Sequence, residues 1–587
     1  MNSALMLTLG HHASAVYFDG EKALGYEEER LNRVKSTSAY PVLSIAEIEK
    51  RANIEKGSKV FVSHWFDKLD FHKESNKYFD KEHFDALVQK YSLEPVFLSE
   101  KFTHHDAHAW SVVSFLRDQF QGEHGEILKK HNRPIHVIAA DGYGTNQEVF
   151  SVYSLADKDS RPVLLNRYYG YGYSLGLMYQ YATSFCGMKE NQDEYKFLGY
   201  ETYINDVLGE KDVVELRRLA AEQADKMFDE MNARPDSRPS YWRSNSRLVN
   251  IDLLGTTRTN WRNVFTDVIT HVASTDIPNR HVRIIIGHYI QELIEGVMLK
   301  MLSHYDVSNV ALSGGIFYNV KLNNRIFSEV PGLFTVVPLA GDQGCGVGMY
   351  EAHVGGFKWG DLKWGQRPSF RDWQLTLSNE DYEKYGPYIK YFSQDQRVEA
   401  LVETTNALRK DELVNVVKSR MEFGPRALCS TTTLANPTKS NVEIINDLND
   451  RDTVMPMAPV MLAHEVADYF SAPSFAKTVG SDRFMILTYD YSKPNLEAYG
   501  GVAHKYPDRE VWSGRPQLVN YSDTFMFNLL NSIDSKHRVL INTSFNAHGR
   551  PIVYSFDSVF DSFKFEFDKS IELGHKRPLL FLCDFDG

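Results

Sequence analysis

The chain has 587 residues, 43% of them hydrophobic and 24% charged, with a formal net charge of −12 at pH 7. That length exceeds what one hydrophobic core usually supports, so two domains are expected. The acidic balance argues against wholesale binding to nucleic acid or a membrane surface, while leaving room for a local basic groove.

Four cysteines (Cys186, Cys345, Cys429 and Cys583) lie far apart with no C-x-x-C pair. This fits a reducing compartment and excludes a cysteine-based zinc module. The opening MNSALMLTLGHHASAV lacks the basic start and long apolar core of a signal peptide. No window approaches a membrane span, so a cytoplasmic chain of enzyme size is expected.

In chain order, ALMLTLG is an apolar strand, GHHAS a polar Gly turn carrying His11 and His12, and AVYFDGEKALGYEEE alternates across an Asp-Gly hairpin. THHDAHAWS then sets His104 and His108 four residues apart. On a helix that spacing puts both imidazoles on one face, within reach of one metal ion. VIAADGYGT is a strand delivering Asp141 into a Gly-rich turn, followed by the strand EVFSVYSL. The repeated strand, Gly turn and strand predict a duplicated nucleotide-binding architecture of the α/β class, with phosphates clasped between two subdomains.

Between Asn232 and Asn263, six arginines (Arg234, Arg238, Arg243, Arg247, Arg258, Arg262) face two aspartates (Asp236, Asp252), with Tyr241, Trp242 and Trp261 interleaved. Cations to track phosphates and rings to stack bases suit single-stranded or flipped nucleic acid. Pairing of these arginines with the acidic remainder is the competing reading. NVALSGGIFYNVKLNNRI gives a strand, then Gly314 and Gly315, then Asn319 and a helix whose free amides could receive an anion. TVVPLAGDQGCGVG delivers Asp342 in the same manner. Two His and two Asp make a mixed nitrogen and oxygen shell suited to Fe²⁺, Mn²⁺ or Zn²⁺. From Gly355 to Tyr391 the sequence is aromatic-rich without a sustained period, as in an interdomain connection. Beyond it, KSRMEFGPRALCSTTTL, MPMAPVML, SDRFMILTYDY and HRVLINTSFNAHGRPIVYS predict a second α/β domain of about 200 residues.

EEERLNRVK (Glu27–Lys35), HHDAH, SGGIFYN, GDQG, MEFGPRAL, APV and NTSFN occur in the order found in O-carbamoyltransferases of the nodulation and antibiotic-tailoring type, which this chain resembles over nearly its whole length. The resemblance implies an N-terminal actin/Hsp70-like (ASKHA) domain over residues 1–360, shared with tRNA threonylcarbamoyl transferases. It implies a YrdC-like domain over 390–587. It implies further that carbamoyl phosphate and ATP, with Mg²⁺, give a carbamoyl-adenylate, whose carbonyl an acceptor hydroxyl attacks. By position His104, His108, Asp141 and Asp342 match the family's metal site. His11 matches the general base for the acceptor, a role that suits imidazole, and Lys35 a lysine near the nucleotide. Lys418, Arg420, Arg426, Arg451 and Arg515 match the cations for phosphates, which guanidiniums bind bidentately. Ser544 and Asn546 match residues that hold donor or nucleotide, with Gly314, Gly315 and Asn319 beside them. A homodimer is compatible with the resemblance.

The chain also departs from the family. His12 stands where an Asp is usual, Cys429 replaces a Gly, and Thr431, Asn449 and Met455 replace Arg, Lys and Arg. Three charge-assisted contacts, each worth about 1.5–3 kcal/mol, are thereby missing from the expected donor site. The preferred acceptor is a 5-hydroxymethyl pyrimidine, as nucleotide or in DNA. A sugar or aminoglycoside hydroxyl comes next, and a threonylcarbamoyl-type tRNA modification is the alternative from another class.

Overall fold

The computed structural model describes residues 2–64, 75–120, 133–233, 247–274, 276–367, 369–451, 457–471, 478–493, 495–505, 511–533 and 538–586, with 247–253 entering only as part of a helix. Arg234, Asp236, Arg238, Tyr241, Trp242, Arg243 and Met455 therefore lie outside the described residues, and the side chains of Arg247 and Asp252 with them.

Two five-stranded sheets share one topology. The first comprises β1 (Ala4–Thr8), β2 (Ser14–Phe18), β3 (Ala23–Glu27), β4 (Lys59–Ser63) and β5 (Glu94–Phe97), in the order β3-β2-β1-β4-β5. Strands β1 to β3 pair antiparallel, whereas β4 and β5 add in parallel. The second comprises β6 (Ile135–Ala140), β7 (Glu148–Leu155), β8 (Val163–Tyr169), β9 (Asn309–Ser313) and β10 (Phe334–Val336), ordered β10-β9-β6-β7-β8 with the same pairings. This repeat is the duplicated α/β architecture that the two strand, Gly turn and strand openings predict. The central strands read as unbroken apolar runs, ALMLT and IHVIAA, because both faces are covered.

Between β8 and β9 the second half carries a helical layer that includes Glu210–Ala233, Arg247–Val272 and Asn279–His304. Ile285, Tyr289, Leu293 and Val297 of the last helix pack with Leu216, Ala220 and Phe265 of the other two in one buried core.

A third, seven-stranded mixed sheet follows: β11 (Ile389–Phe392), β12 (Val414–Val417), β13 (Thr431–Ala435), β14 (Ala458–Leu462), β18 (Gln517–Val519), β19 (Val539–Ser544) and β20 (Leu579–Cys583), ordered β11-β20-β12-β13-β19-β14-β18. Three short strands, β15 (Tyr489–Asp490), β16 (His504–Lys505) and β17 (Trp512–Gly514), form a separate ribbon. The aromatic stretch after Gly355 contains a helix, Asn379–Tyr385, that its lack of period did not reveal. Trp359 and Trp364 of this stretch pack with the first two sheets, while Phe370, Trp373 and Tyr385 pack against β20 and the helix Phe556–Leu573.

Two helices meet at the junction of the repeated sheets. His104–Gln119 follows β5, and Cys345–His353 follows β10. At Gly348 a Cβ would sit 1.8 Å from the Ala107 carbonyl oxygen, so the backbones touch with no side chain between them.

Candidate active site

His104 and His108 lie on the first two turns of the helix His104–Gln119. A capping box fixes that start: the Thr103 hydroxyl accepts from the Asp106 N–H at 3.3 Å, and the Asp106 carboxylate from the Thr103 N–H at 2.8 Å. Both imidazoles are fully buried. His104 Nδ1 lies 3.1 Å from the His64 carbonyl oxygen, which can only accept, so Nδ1 carries hydrogen and Nε2 is the nitrogen left to take a proton or a cation. His108 Nδ1 is anchored by the Ser313 hydroxyl at 3.0 Å.

The two Nε2 atoms are 3.2 Å apart. Asp141 Oδ2 is 3.4 and 3.3 Å from them, and Asp342 Oδ1 3.3 and 3.9 Å. Asp141 is aimed by its other oxygen, which accepts from the Gly142 and Gly315 amides at 2.7 and 3.3 Å. Gly314 makes this approach feasible: at φ 113° its missing Cβ would stand 1.9 Å from the Ala140 carbonyl oxygen.

Asp342 Oδ2 is buried and without a hydrogen-bond partner among the described residues. Two imidazole nitrogens and two carboxylate oxygens converge on one point, where a cation or a proton can sit: the chemistry of a divalent-cation site, and the residues fit the ion expected from sequence. Burial opposes charge on His104, yet the Asp342 and Asp141 carboxylates raise its pKa to about 10. Against burial, the same imidazoles hold Asp141 well below the carboxylate range. One further donor is present: the ligand atoms of His104, His108, Asp342 and Cys345 all lie within 4.8 Å of one another.

Asp141 and Asp342 line a cavity of about 960 Å³, large enough for a nucleotide-sized ligand. His11, Lys35, Gly315 and Asn319 line it from the repeated sheets, and Arg426, Arg451, Arg515, Ser544 and Asn546 from the third-sheet region. His11 Nε2 is 4.0 Å from Asp342 Oδ2. Burial lowers the Lys35 pKa, with Glu29 partly restoring it. His12 also lines the cavity, in a left-handed conformation at φ 62°. Burial, then His11, pushes its pKa down to about 4, so a neutral imidazole replaces the family's carboxylate.

Among the cavity cations, Arg451 donates to the Thr543 hydroxyl at 2.9 Å and the Ser544 carbonyl at 3.2 Å. The Arg426 and Arg515 guanidiniums sit 4.1 and 4.8 Å from the centroid of one ring, Tyr195. Burial lowers the Arg515 pKa to about 10, and its Nη1 is buried without a hydrogen-bond partner among the described residues.

Lys418 and Arg420, expected beside these arginines, do not line the cavity. Ser419, at φ 59°, turns the chain between them. Lys418 is drawn into a buried ion pair with Asp523 at 2.7 Å, and Arg420 donates to the Gly365, Trp364 and Ala23 carbonyls at 2.9, 2.7 and 3.1 Å. The helix after Gly314 and Gly315 starts only at Val320, where the Asn319 side chain caps the Lys321 and Leu322 amides at 3.1 and 3.0 Å. A short 3-10 turn, Gly315–Tyr318, fills the space after the glycine pair, and Gly315 and Asn319 line the cavity while the Gly315 amide is committed to Asp141. Of the basic stretch, Arg258 pairs with Glu190 at 2.7 Å and lies 4.7 Å from the Tyr181 ring at the cavity wall. Trp261 is buried and stacked on Phe265, so it presents no face to a base.

The motifs GYEEER and MEFGPRAL interlock. Arg30 pairs with Glu27 at 2.9 Å and donates to the Gly424 carbonyl at 2.6 Å, while the Gly424 N–H donates to Glu27 at 3.1 Å. Buried Glu422 then accepts from the Leu428, Ser430 and Thr431 amides at 3.0, 2.7 and 3.0 Å and from the Thr431 hydroxyl at 2.8 Å. Thr431, where the family has arginine, thus serves the loop that carries Arg426. Sequence reasoning missed Tyr195, Cys345 and Glu422; Cys345, inside GDQGCG, and Glu422, inside MEFGPRAL, stood in motifs already singled out, whereas Tyr195 stood in none.

Residues 46–350 match the family described as Carbamoyltransferase N-terminus, and residues 405–570 the one described as Carbamoyltransferase C-terminus. An uncharacterized protein of Methanocaldococcus jannaschii is 29% identical over 48% of this chain and 54% of its own length, so the match spans about half of that relative. The nodulation protein NolNO of Sinorhizobium fredii is 24% identical over 94% of this chain and 76% of its own. The solved structure of HypF from T. kodakarensis is similar at 14% identity and a TM-score of 0.28, covering 59% of this chain and 47% of that one.

Proposed function

The chain belongs to the carbamoyltransferase family, and on that footing we propose that it transfers a carbamoyl group from carbamoyl phosphate, activated with ATP as carbamoyl-adenylate, to an acceptor hydroxyl. The observation that carries this reading is one cavity bounded by the Asp141 and Asp342 carboxylates, His11 and Lys35 on one side and by Arg426, Arg451 and Arg515 on the other. In this reading residues 1–360 are the transfer unit and 390–587 the donor unit.

The three arginines bind the phosphates of donor and nucleotide, and Lys35 adds a fourth cation. Ser544 and Asn546 hold the donor from the end of β19. His11, half-exposed at the cavity wall, takes the acceptor proton as the oxygen–carbon bond forms and AMP departs with the electron pair of the broken bond. A divalent cation, iron or a neighbour such as Mn²⁺ or Zn²⁺, held by His104, His108, Asp141 and Asp342 would neutralise phosphate charge. The buried walls exclude water from the activated carbonyl.

For the acceptor we favour a 5-hydroxymethyl pyrimidine, as nucleotide or in DNA. Tyr143 and Tyr181 line the cavity beside Arg258, offering rings to a base and a cation to its phosphate. No helix among the described residues is long and apolar enough to cross a membrane; we assign the reaction to the cytosol, where buried, unbridged cysteines suit the redox conditions.

The test is a mass-spectrometric screen with ATP, carbamoyl phosphate and Mg²⁺ against hydroxymethyl-dCMP, hydroxymethylated DNA and a sugar panel. Exchange of H for CONH₂ on a pyrimidine acceptor, with AMP released, is expected. Gain on a sugar alone would correct the acceptor, and gain on none would overturn the reading.

A further inference from the structure

Cys345 is a sulfur donor beside the proposed cation site that the family resemblance did not call for. It begins the helix Cys345–His353, directly after the Asp342–Gly344 turn, and is fully buried. Its ligand atom and those of His104, His108 and Asp342 all lie within 4.8 Å of one another. Three edges of that figure are 3.2 Å between the imidazole nitrogens and 3.3 and 3.9 Å from them to Asp342. A tetrahedral ion bonded at about 2.0–2.3 Å needs ligand–ligand edges of about 3.3–3.8 Å. The triangle is thus sized for the ion before it arrives.

Two observations give the sulfur its part. Asp342, 4% exposed, turns Oδ1 toward both imidazoles and keeps Oδ2 without a hydrogen-bond partner among the described residues, so the carboxylate in the turn before Cys345 is available to a ligand. Asp141, the other available donor, lines the cavity, whereas Cys345 does not. The two candidates for a fourth position therefore differ in their access to the cavity.

We propose that Cys345 is a ligand of the cation, closing the buried side of its shell while Asp141 and the cavity take the open side. The metal–sulfur bond forms as the thiol proton leaves to solvent. A thiolate beside two imidazoles and a carboxylate selects Zn²⁺, Fe²⁺ or Co²⁺ over Mg²⁺ and Mn²⁺. The inference rests on the cation site described above and is tested so that the two can fail separately.

The full chain, stripped by chelation, is titrated anaerobically with Co²⁺. Visible ligand-field bands together with a near-ultraviolet sulfur-to-cobalt charge-transfer band are expected, and C345S should lose the second while keeping the first. Ligand-field bands without charge transfer in the wild type, or charge transfer unchanged in C345S, would overturn the role of Cys345 and leave the cation site standing. No cobalt spectrum at all would overturn both. Cadmium NMR of the wild type needs no variant: a resonance far downfield supports sulfur ligation, and one in the range of nitrogen and oxygen shells refutes it.

Discussion

Cation binding to this chain should tighten steeply with pH, and His104 sets the slope. Its Nε2 faces Asp141 and Asp342 at 3.4 and 3.3 Å, and against the opposing effect of burial these carboxylates raise its pKa to about 10. A proton on Nε2 occupies the electron pair that a cation requires. Below a pKa of about 10 every pH unit weakens apparent affinity about tenfold, so near pH 7 the deficit is about a thousandfold, or ~4 kcal/mol. Because the folded pKa exceeds the unfolded 6.5, the proton's contribution to folding of the metal-free chain is complete below 6.5 and lost as pH rises through about 10. The cation replaces the proton in that window. Calorimetric titration with Zn²⁺ at roughly pH 6, 7 and 8, in buffers of different ionisation enthalpy, should give about tenfold tighter binding per unit and release of at least one proton per ion, with the Cys345 thiol adding a second. Affinity independent of pH, or binding without proton release, would refute the geometry deduced for His104.

Three further outcomes are expected. Tyr195→Leu removes the ring shared by Arg426 and Arg515; at about 0.5–2 kcal/mol per contact, affinity for ATP should fall several-fold or more by calorimetry, while Tyr195→Trp retains it. Arg30→Met leaves Glu27 charged and buried, a loss of about 3–5 kcal/mol that should appear as a lowered thermal unfolding midpoint. Glu422→Ala abandons three buried amides and a hydroxyl at about 1–3 kcal/mol each, so protease should cut near Leu428 faster than in wild type, with Glu422→Gln between the two.

The convergence of His104, His108, Asp141 and Asp342 was legible because each part is locally encoded. A four-residue histidine spacing needs only a helix, and each aspartate ends or follows a strand in a Gly turn, so convergence required only that the repeated sheets pack as such sheets do. The duplication itself was legible in the two strand–turn–strand openings. What escaped were contacts between remote segments. Tyr195 sits in KENQDEYKFLGY, which carries no motif, and meets Arg426 and Arg515 only through tertiary packing. Lys418 and Arg420 were misjudged because a motif fixes neighbours in sequence, not side-chain direction; a left-handed residue between them sent one to a buried aspartate and the other to backbone carbonyls. The helix Asn379–Tyr385 was missed because its seven residues are too few to establish a period.

The contact at Gly348 has a mechanical corollary. His104 and His108 ride on one of the touching helices and Cys345 on the other, with Asp342 in the turn just before it. A closure of the two sheets that preserved this backbone contact would pivot about the seam. Motion large at the mouth would then be slight among these donors, and a cation held by them would keep its shell. Even Gly348→Ala would wedge the seam apart and convert a quiet hinge into a moving one.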